Sequence, residues 1–152
     1  MNMKKELRDW IKDYNWEIAG TLTYREGTTD KQADRIMRKF WSTANQAIYG
    51  NQWRPKRGRR KAIENITMLD TNAYGENTHF HLAIKLPIDR SYNISEFCDL
   101  LYDTWRKIGK DNYIAEFEEI ENEEKWVDYI TRKTTKTSID QLHTFSSYII
   151  NK

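Results

Sequence analysis

The order of secondary-structure signals predicts an α+β protein: a split βαβ arrangement with a mostly antiparallel central sheet of four to five strands and helices packed against it. Three observations carry this expectation. Short runs rich in β-branched and aromatic residues alternate with amphipathic stretches in the order strand, helix, strand, strand, helix, strand, then helices. Only a polar turn separates the middle two strands, as in an antiparallel hairpin. The two longer helical stretches begin at a capping residue and stop at a glycine.

Trp16 to Tyr24 reads as the first strand and ends at the Glu26-Gly27 turn. Thr29 or Asp30 can cap the helix that follows, whose apolar stripe is Ala33, Ile36, Met37, Phe40, Trp41, Ala44, Ala47 and Ile48, with Gly50 at its end. A basic segment containing Pro55 and Gly58 reads as an exposed loop. The second strand covers Ala62 to Leu69, and a turn around Asn72 to Asn77 leads into a third that stops at Pro87. Ser95 is the expected cap of a helix carrying Phe97, Leu100, Leu101, Trp105 and Ile108 and ending at Gly109. Tyr113 to Ile120 alternates like a fourth strand. Asn122 can cap a third helix with Trp126, Val127, Tyr129, Ile130 and Lys133, and a last amphipathic segment spans Ser138 to Ile149.

Composition narrows the class. A chain of 152 residues fits one domain, residues 1–152, with a single core and no room for a motor domain. Its net charge of +2 gives no argument for a polyanionic partner, but the distribution is uneven. Arg54, Lys56, Arg57, Arg59, Arg60 and Lys61 crowd one segment, and Glu116, Glu118, Glu119, Glu121, Glu123 and Glu124 another. The lone Cys98 excludes an internal disulfide and a cysteine-based zinc site. No apolar run suits a bilayer and Met1 to Trp10 is not signal-like, so the expectation is a cytoplasmic protein with no membrane partner.

The chemistry concentrates in Thr78-His79-Phe80-His81-Leu82. Two of the three histidines stand two apart on an apolar strand, so both imidazoles share one face. Buried imidazoles need several hydrogen-bond partners, which makes this a poor core and a good grip for a divalent metal. Hard cations such as Mg²⁺ or Mn²⁺ also want a carboxylate oxygen. Asp70 closes the strand expected to pair with the histidine strand and is the preferred third ligand; Glu64 and Glu76 compete. Tyr129 and Lys133, four apart on a helix, share a face. The basic loop fits phosphate contacts, and Trp53 at its edge is a candidate platform for an unpaired base. Thr21 and Thr23 present both hydroxyls on one face of the first strand.

Three marks together resemble the HUH endonucleases, and among them the small rolling-circle replication initiators of plasmids and phages. They are Thr21-Leu22-Thr23-Tyr24, His79-Phe80-His81, and Tyr129-Ile130-Thr131-Arg132-Lys133, in the family's order between Glu17 and Lys133. The resemblance implies the HUH version of the split βαβ fold, a bound Mn²⁺ or Mg²⁺ ion, and an acidic third ligand, usually Glu, where this chain has Asp70. It implies that Tyr129 attacks a phosphodiester of single-stranded DNA, forming a 5′-phosphotyrosine link and releasing a 3′-hydroxyl for a polymerase. Lys133, or Arg132 where the spacing is three, would assist the phenol and hold a phosphate. The implied partners, in a bacterial host cell, are single-stranded DNA at a replication origin, as an open strand or in a hairpin, and a host helicase and polymerase. Two other functions stay open: a single-strand transposase of the IS200-like kind, and a DNA-binding module that keeps the fold without cleaving. Tyr148 is the reserve nucleophile.

Overall fold

The computed structural model describes residues 3–71, 78–109, 114–132 and 148–149 of the 152. Its elements are α1 (Met3–Ile11), β1 (Ile18–Thr23), α2 (Asp30–Tyr49), a single 3₁₀ turn (Gly50–Gln52), β2 (Asn65–Thr71), β3 (Thr78–Ile84), α3 (Ile94–Gly109), β4 (Ile114–Glu119) and α4 (Glu123–Arg132). The strands form one four-stranded sheet in the order β2-β3-β1-β4, antiparallel throughout. Each βαβ pair leaves room for a strand from the other half, which is the split βαβ arrangement.

Local chemistry sets the helix ends. The N–H of Gln32 donates to Thr29 Oγ1 at 3.1 Å and the N–H of Thr29 to Gln32 Oε1 at 3.0 Å, a capping box that satisfies two donors otherwise left open at the start of α2. Gly50 ends α2 at φ 53°, in the left-handed region that costs a glycine little. The cap of α3 is Asn93, which accepts from Glu96 N–H at 2.8 Å while Glu96 Oε1 accepts from Asn93 N–H at 3.2 Å. Ser95, expected in that place, lies inside the first turn. Asn122 caps α4 through Lys125 N–H at 3.0 Å, as its sequence position suggests.

Period-two alternation divides the apolar side chains between the sheet's two faces. Ile18, Leu22, Phe80, Leu82 and Ile84 meet Phe40, Trp41, Phe97, Leu101 and Trp105 of α2 and α3. Ile66, Met68 and Ala83 meet Leu7, Ile11, Trp16, Val127 and Ile130 on the other face. Helix α1, which the charged N-terminal sequence does not announce, is therefore part of the core, packed against α4. Replacing the fully buried Ile11 with Ala should cost about 2–4 kcal/mol, read as a lowered urea midpoint at unchanged slope. A change within 0.5 kcal/mol, roughly the surface range, would mean that α1 does not brace α4.

Several boundaries differ from the sequence reading, β1 among them, which is Ile18–Thr23 rather than Trp16 to Tyr24. Strand β2 begins at Asn65 rather than Ala62, because the Ile63 N–H donates to Asn45 Oδ1 of α2 at 2.7 Å instead of entering the sheet. Strand β4 runs Ile114–Glu119, one residue short of the expected end, and Tyr113 lies outside the described residues. Tyr148 pairs with Asn65 in an isolated antiparallel bridge, so no helix reaches Ile149; residues 138–147 of that expectation lie outside the described residues. Among the described residues no helix is long and apolar enough to cross a membrane.

Candidate metal centre and tyrosine

Strand β3 is central in the sheet, paired on both sides, and its odd residues face α4. The register sets Thr23 opposite His79 and Thr21 opposite His81 on β1, and Asp70 opposite His79 on β2. Directly opposed side chains share a face with Cβ atoms about 5 Å apart. Asp70, His79, Thr23, His81 and Thr21 therefore form one polar patch beside the apolar cluster under α4.

The imidazoles are held by hydrogen bonds to both neighbouring strands. Thr23 Oγ1 lies 3.0 Å from His79 Nδ1, and Thr21 Oγ1 lies 3.5 Å from His81 Nδ1. His81 Nε2 is 3.1 Å from Asp70 Oδ2, with the two side chains 6% and 15% exposed. The rings of His79 and His81 are nearly parallel, their planes 13° apart and centroids 6.4 Å apart. Among the described residues no three His, Cys, Asp or Glu side chains hold a metal-binding arrangement as they stand. His81 Nε2 is engaged by Asp70 Oδ2, so ligation through that nitrogen would require this bond to open.

Tyr129 comes to this patch from α4. Its ring meets His81 edge-on at 5.4 Å and stacks on Trp126 at 5.4 Å with planes 17° apart. Trp126 is anchored in turn, donating its indole N–H to the Leu82 carbonyl of β3 at 2.9 Å. An ion pair between Arg8 and Asp128 at 3.2 Å ties α4 to α1; both groups are well exposed, so it adds little stability. Beside Tyr129 a cleft of about 640 Å³ runs along β4 and the start of α4, past Glu118, Glu119, Asn122 and Lys125.

The structure thus brings together Asp70, His79, His81 and Tyr129. It separates two of the competing assignments. Glu64 precedes β2 at the opposite end from Asp70 and accepts the Tyr14 hydroxyl, which removes it from the histidine patch. Tyr148, the reserve nucleophile, donates its hydroxyl to the Arg60 carbonyl at that far end and cannot reach the imidazoles. Glu76 and Lys133 lie outside the described residues, and Arg132 is the last residue of α4.

The basic segment occupies the far end as well. Counted from Asn65 at the start of β2, Met68 opposite His81 is about 10 Å along the strand and Asp70 opposite His79 about 17 Å, at 3.3 Å per residue. At the Asn65 end the segment borders a cleft of about 780 Å³ lined in part by Tyr14, Tyr49, Arg59, Arg60, Lys61 and Lys85. Lys61 pairs with Asp89 at 3.1 Å. Asp89 also accepts the Tyr49 hydroxyl, and burial together with that carboxylate pushes the Tyr49 phenol up to about 12. Tyr49 therefore stays protonated at every ordinary pH. Trp53 does not present the base platform expected of it. It is 6% exposed, part of the α2–α3 core, with the Arg60 guanidinium 4.6 Å over its ring. A planar cation and the core occupy its faces, so its role is packing.

The threonine pair is what sequence reasoning leaves without a chemical role. The shared face of Thr21 and Thr23 is visible in the chain, but their partners follow only from the β1–β3 register. No family model matches the chain, and neither a curated protein nor a solved structure does.

Proposed function

We propose that this chain is a metal-dependent nickase and strand transferase of single-stranded DNA, acting as the HUH endonucleases do, with Tyr129 as nucleophile. The observation that carries the reading is the position of Tyr129, edge-on to His81 on the same sheet face as Asp70 and His79. The donor set fits a divalent ion that accepts mixed ligands, imidazole nitrogens with a carboxylate, as Mn²⁺ does and Mg²⁺ tolerates. His79, His81 and Asp70 would hold it, and when bound it withdraws charge from a phosphodiester and makes the phosphorus easier to attack.

The rest of the step belongs to the chain. The phenolic oxygen forms a bond to phosphorus, the bond to the 3′ oxygen breaks, the phenol gives up its proton and the departing 3′ oxygen takes one up. Nicking is proton-neutral and conserves the phosphoester, so rejoining needs no ATP. An ordinary phenol with a pKa near 10 is a weak nucleophile at neutral pH, so position and neighbouring charge must compensate. Trp126 and His81 fix the plane of the Tyr129 ring. Lys133, or Arg132, would be the source of that positive charge. In this reading the released 3′-hydroxyl primes a polymerase, the duplex is opened by a separate helicase, and the DNA is a replication origin.

The test needs no knowledge of the origin sequence. Incubated with Mn²⁺ and a pool of single-stranded oligonucleotides, the protein should form an adduct that survives a denaturing gel and that does not form when EDTA is present from the start. If binding occurs on many sequences and no adduct ever forms, the chain is a non-cleaving DNA-binding module instead.

Arg57 and Arg59 of the basic loop supply phosphate contacts at the far end of the sheet. Reversing both to Glu should weaken single-strand binding and make the slope of log K against log salt shallower by about 0.7 for each phosphate left without its arginine. Arg60 is left out of that variant because its guanidinium lies over Trp53 and Tyr148. An unchanged salt slope would take the loop out of the DNA path.

A further inference from the structure

The geometry points to Thr21 and Thr23 as positioning residues that decide which nitrogen of each histidine coordinates, an inference that rests on the metal-site reading above. Each Oγ1 meets the Nδ1 of the histidine directly opposite, at 3.0 Å for Thr23–His79 and 3.5 Å for Thr21–His81. Two such contacts, repeated at the same register two residues apart, are a built feature of the β1–β3 pair. β-branching restricts χ1 of both threonines, so the hydroxyls are aimed by the strand itself.

A hydroxyl suits this place because it both donates and accepts. A neutral imidazole carries its proton on one nitrogen only. In His81, Nε2 faces the Asp70 carboxylate, which accepts when ionised. The proton then sits on Nε2, and Nδ1 accepts from Thr21. When Nε2 gives its lone pair to a cation, the proton sits on Nδ1 and Thr21 Oγ1 becomes the acceptor. The ring neither gains nor loses a proton overall, and the backbone need not move. A carboxylate in the threonine's place would serve only the second state, and an N–H donor only the first. Partners of this outer kind orient metal-bound histidines and raise their basicity.

Mn²⁺ titration of the full chain, following free Mn²⁺ by electron paramagnetic resonance, tests the inference without requiring turnover. Wild type should bind, and His79→Ala should abolish binding. Thr23→Val, which keeps the shape and removes the hydroxyl, should weaken affinity by about 10- to 100-fold. Thr23→Ser should restore it to within a few-fold of wild type, and Thr21→Val should show a smaller loss, in line with its longer contact. If wild type binds Mn²⁺ through His79 and Thr23→Val binds it equally well, the threonine inference fails and the metal site stands. If wild type does not bind Mn²⁺ at all, both fail together.

Discussion

Tyr129→Phe is expected to bring the covalent protein–DNA adduct below detection on any single-stranded oligonucleotide while leaving the fold intact. The ring is what packs: it stacks on Trp126 and meets His81 edge-on, and Phe offers the same ring to both. Stability should change by less than about 1 kcal/mol. DNA affinity should be nearly unaltered, because a nucleophile's oxygen adds little to ground-state binding of the strand. Tyr49→Phe and Tyr148→Phe are the controls. Both hydroxyls are at the far end of the sheet, where Tyr49 bonds Asp89 and Tyr148 bonds the Arg60 carbonyl. They should nick like wild type. An adduct that survives in Tyr129→Phe, mapped by mass spectrometry to another tyrosine, would overturn the assignment of the nucleophile.

The second large effect is expected at the imidazoles. His79→Ala should abolish the adduct at Mn²⁺ concentrations that saturate wild type, with little effect on stability because His79 is only half-buried. His81→Ala should abolish it as well and should also destabilise the fold. It opens a cavity in a buried position and leaves the Asp70 carboxylate, 15% exposed, without its Nε2 partner, a loss of about 1–3 kcal/mol. The two variants therefore separate chemistry from folding: equal loss of activity, unequal loss of stability. An Asp70→Asn variant should keep much of the stability through its amide and lose Mn²⁺ affinity. Equal Mn²⁺ binding by Asp70→Asn and wild type would exclude Asp70 as the third ligand.

The frame of this site is visible in the chain because strand periodicity is strict. His79 and His81 on one face, Asp70 at the end of the neighbouring strand, and Tyr129 on the apolar-striped helix capped by Asn122 all follow from local pattern. The split βαβ arrangement and its antiparallel hairpin follow from element order. What escapes the sequence depends on register or on long-range packing. The bond from Thr23 to His79 exists because β1 and β3 pair in one register out of several, and nothing near Thr23 in sequence announces it. Trp53 departs from expectation because six basic neighbours suggest an exposed loop, whereas the 3₁₀ turn after α2 tucks the indole into the core. In α1, Leu7 and Ile11 lie four apart but among Lys5, Glu6, Arg8 and Asp9, and only their contact with Val127 and Ile130 gives them a purpose. Asn93 outcompetes Ser95 as a cap because Glu96 stands three residues after it, completing a capping box.

Paramagnetic broadening offers the most direct trial of the geometry and requires no cognate DNA. With substoichiometric Mn²⁺ added, the ring signals of His79, His81, Tyr129 and Trp126 should broaden together, while those of Tyr49 and Tyr148 stay sharp. Sharp Tyr129 signals beside a broadened His79, or broadening centred on Tyr49 and Tyr148, would place the ion beyond the reach of the phenol and contradict the account.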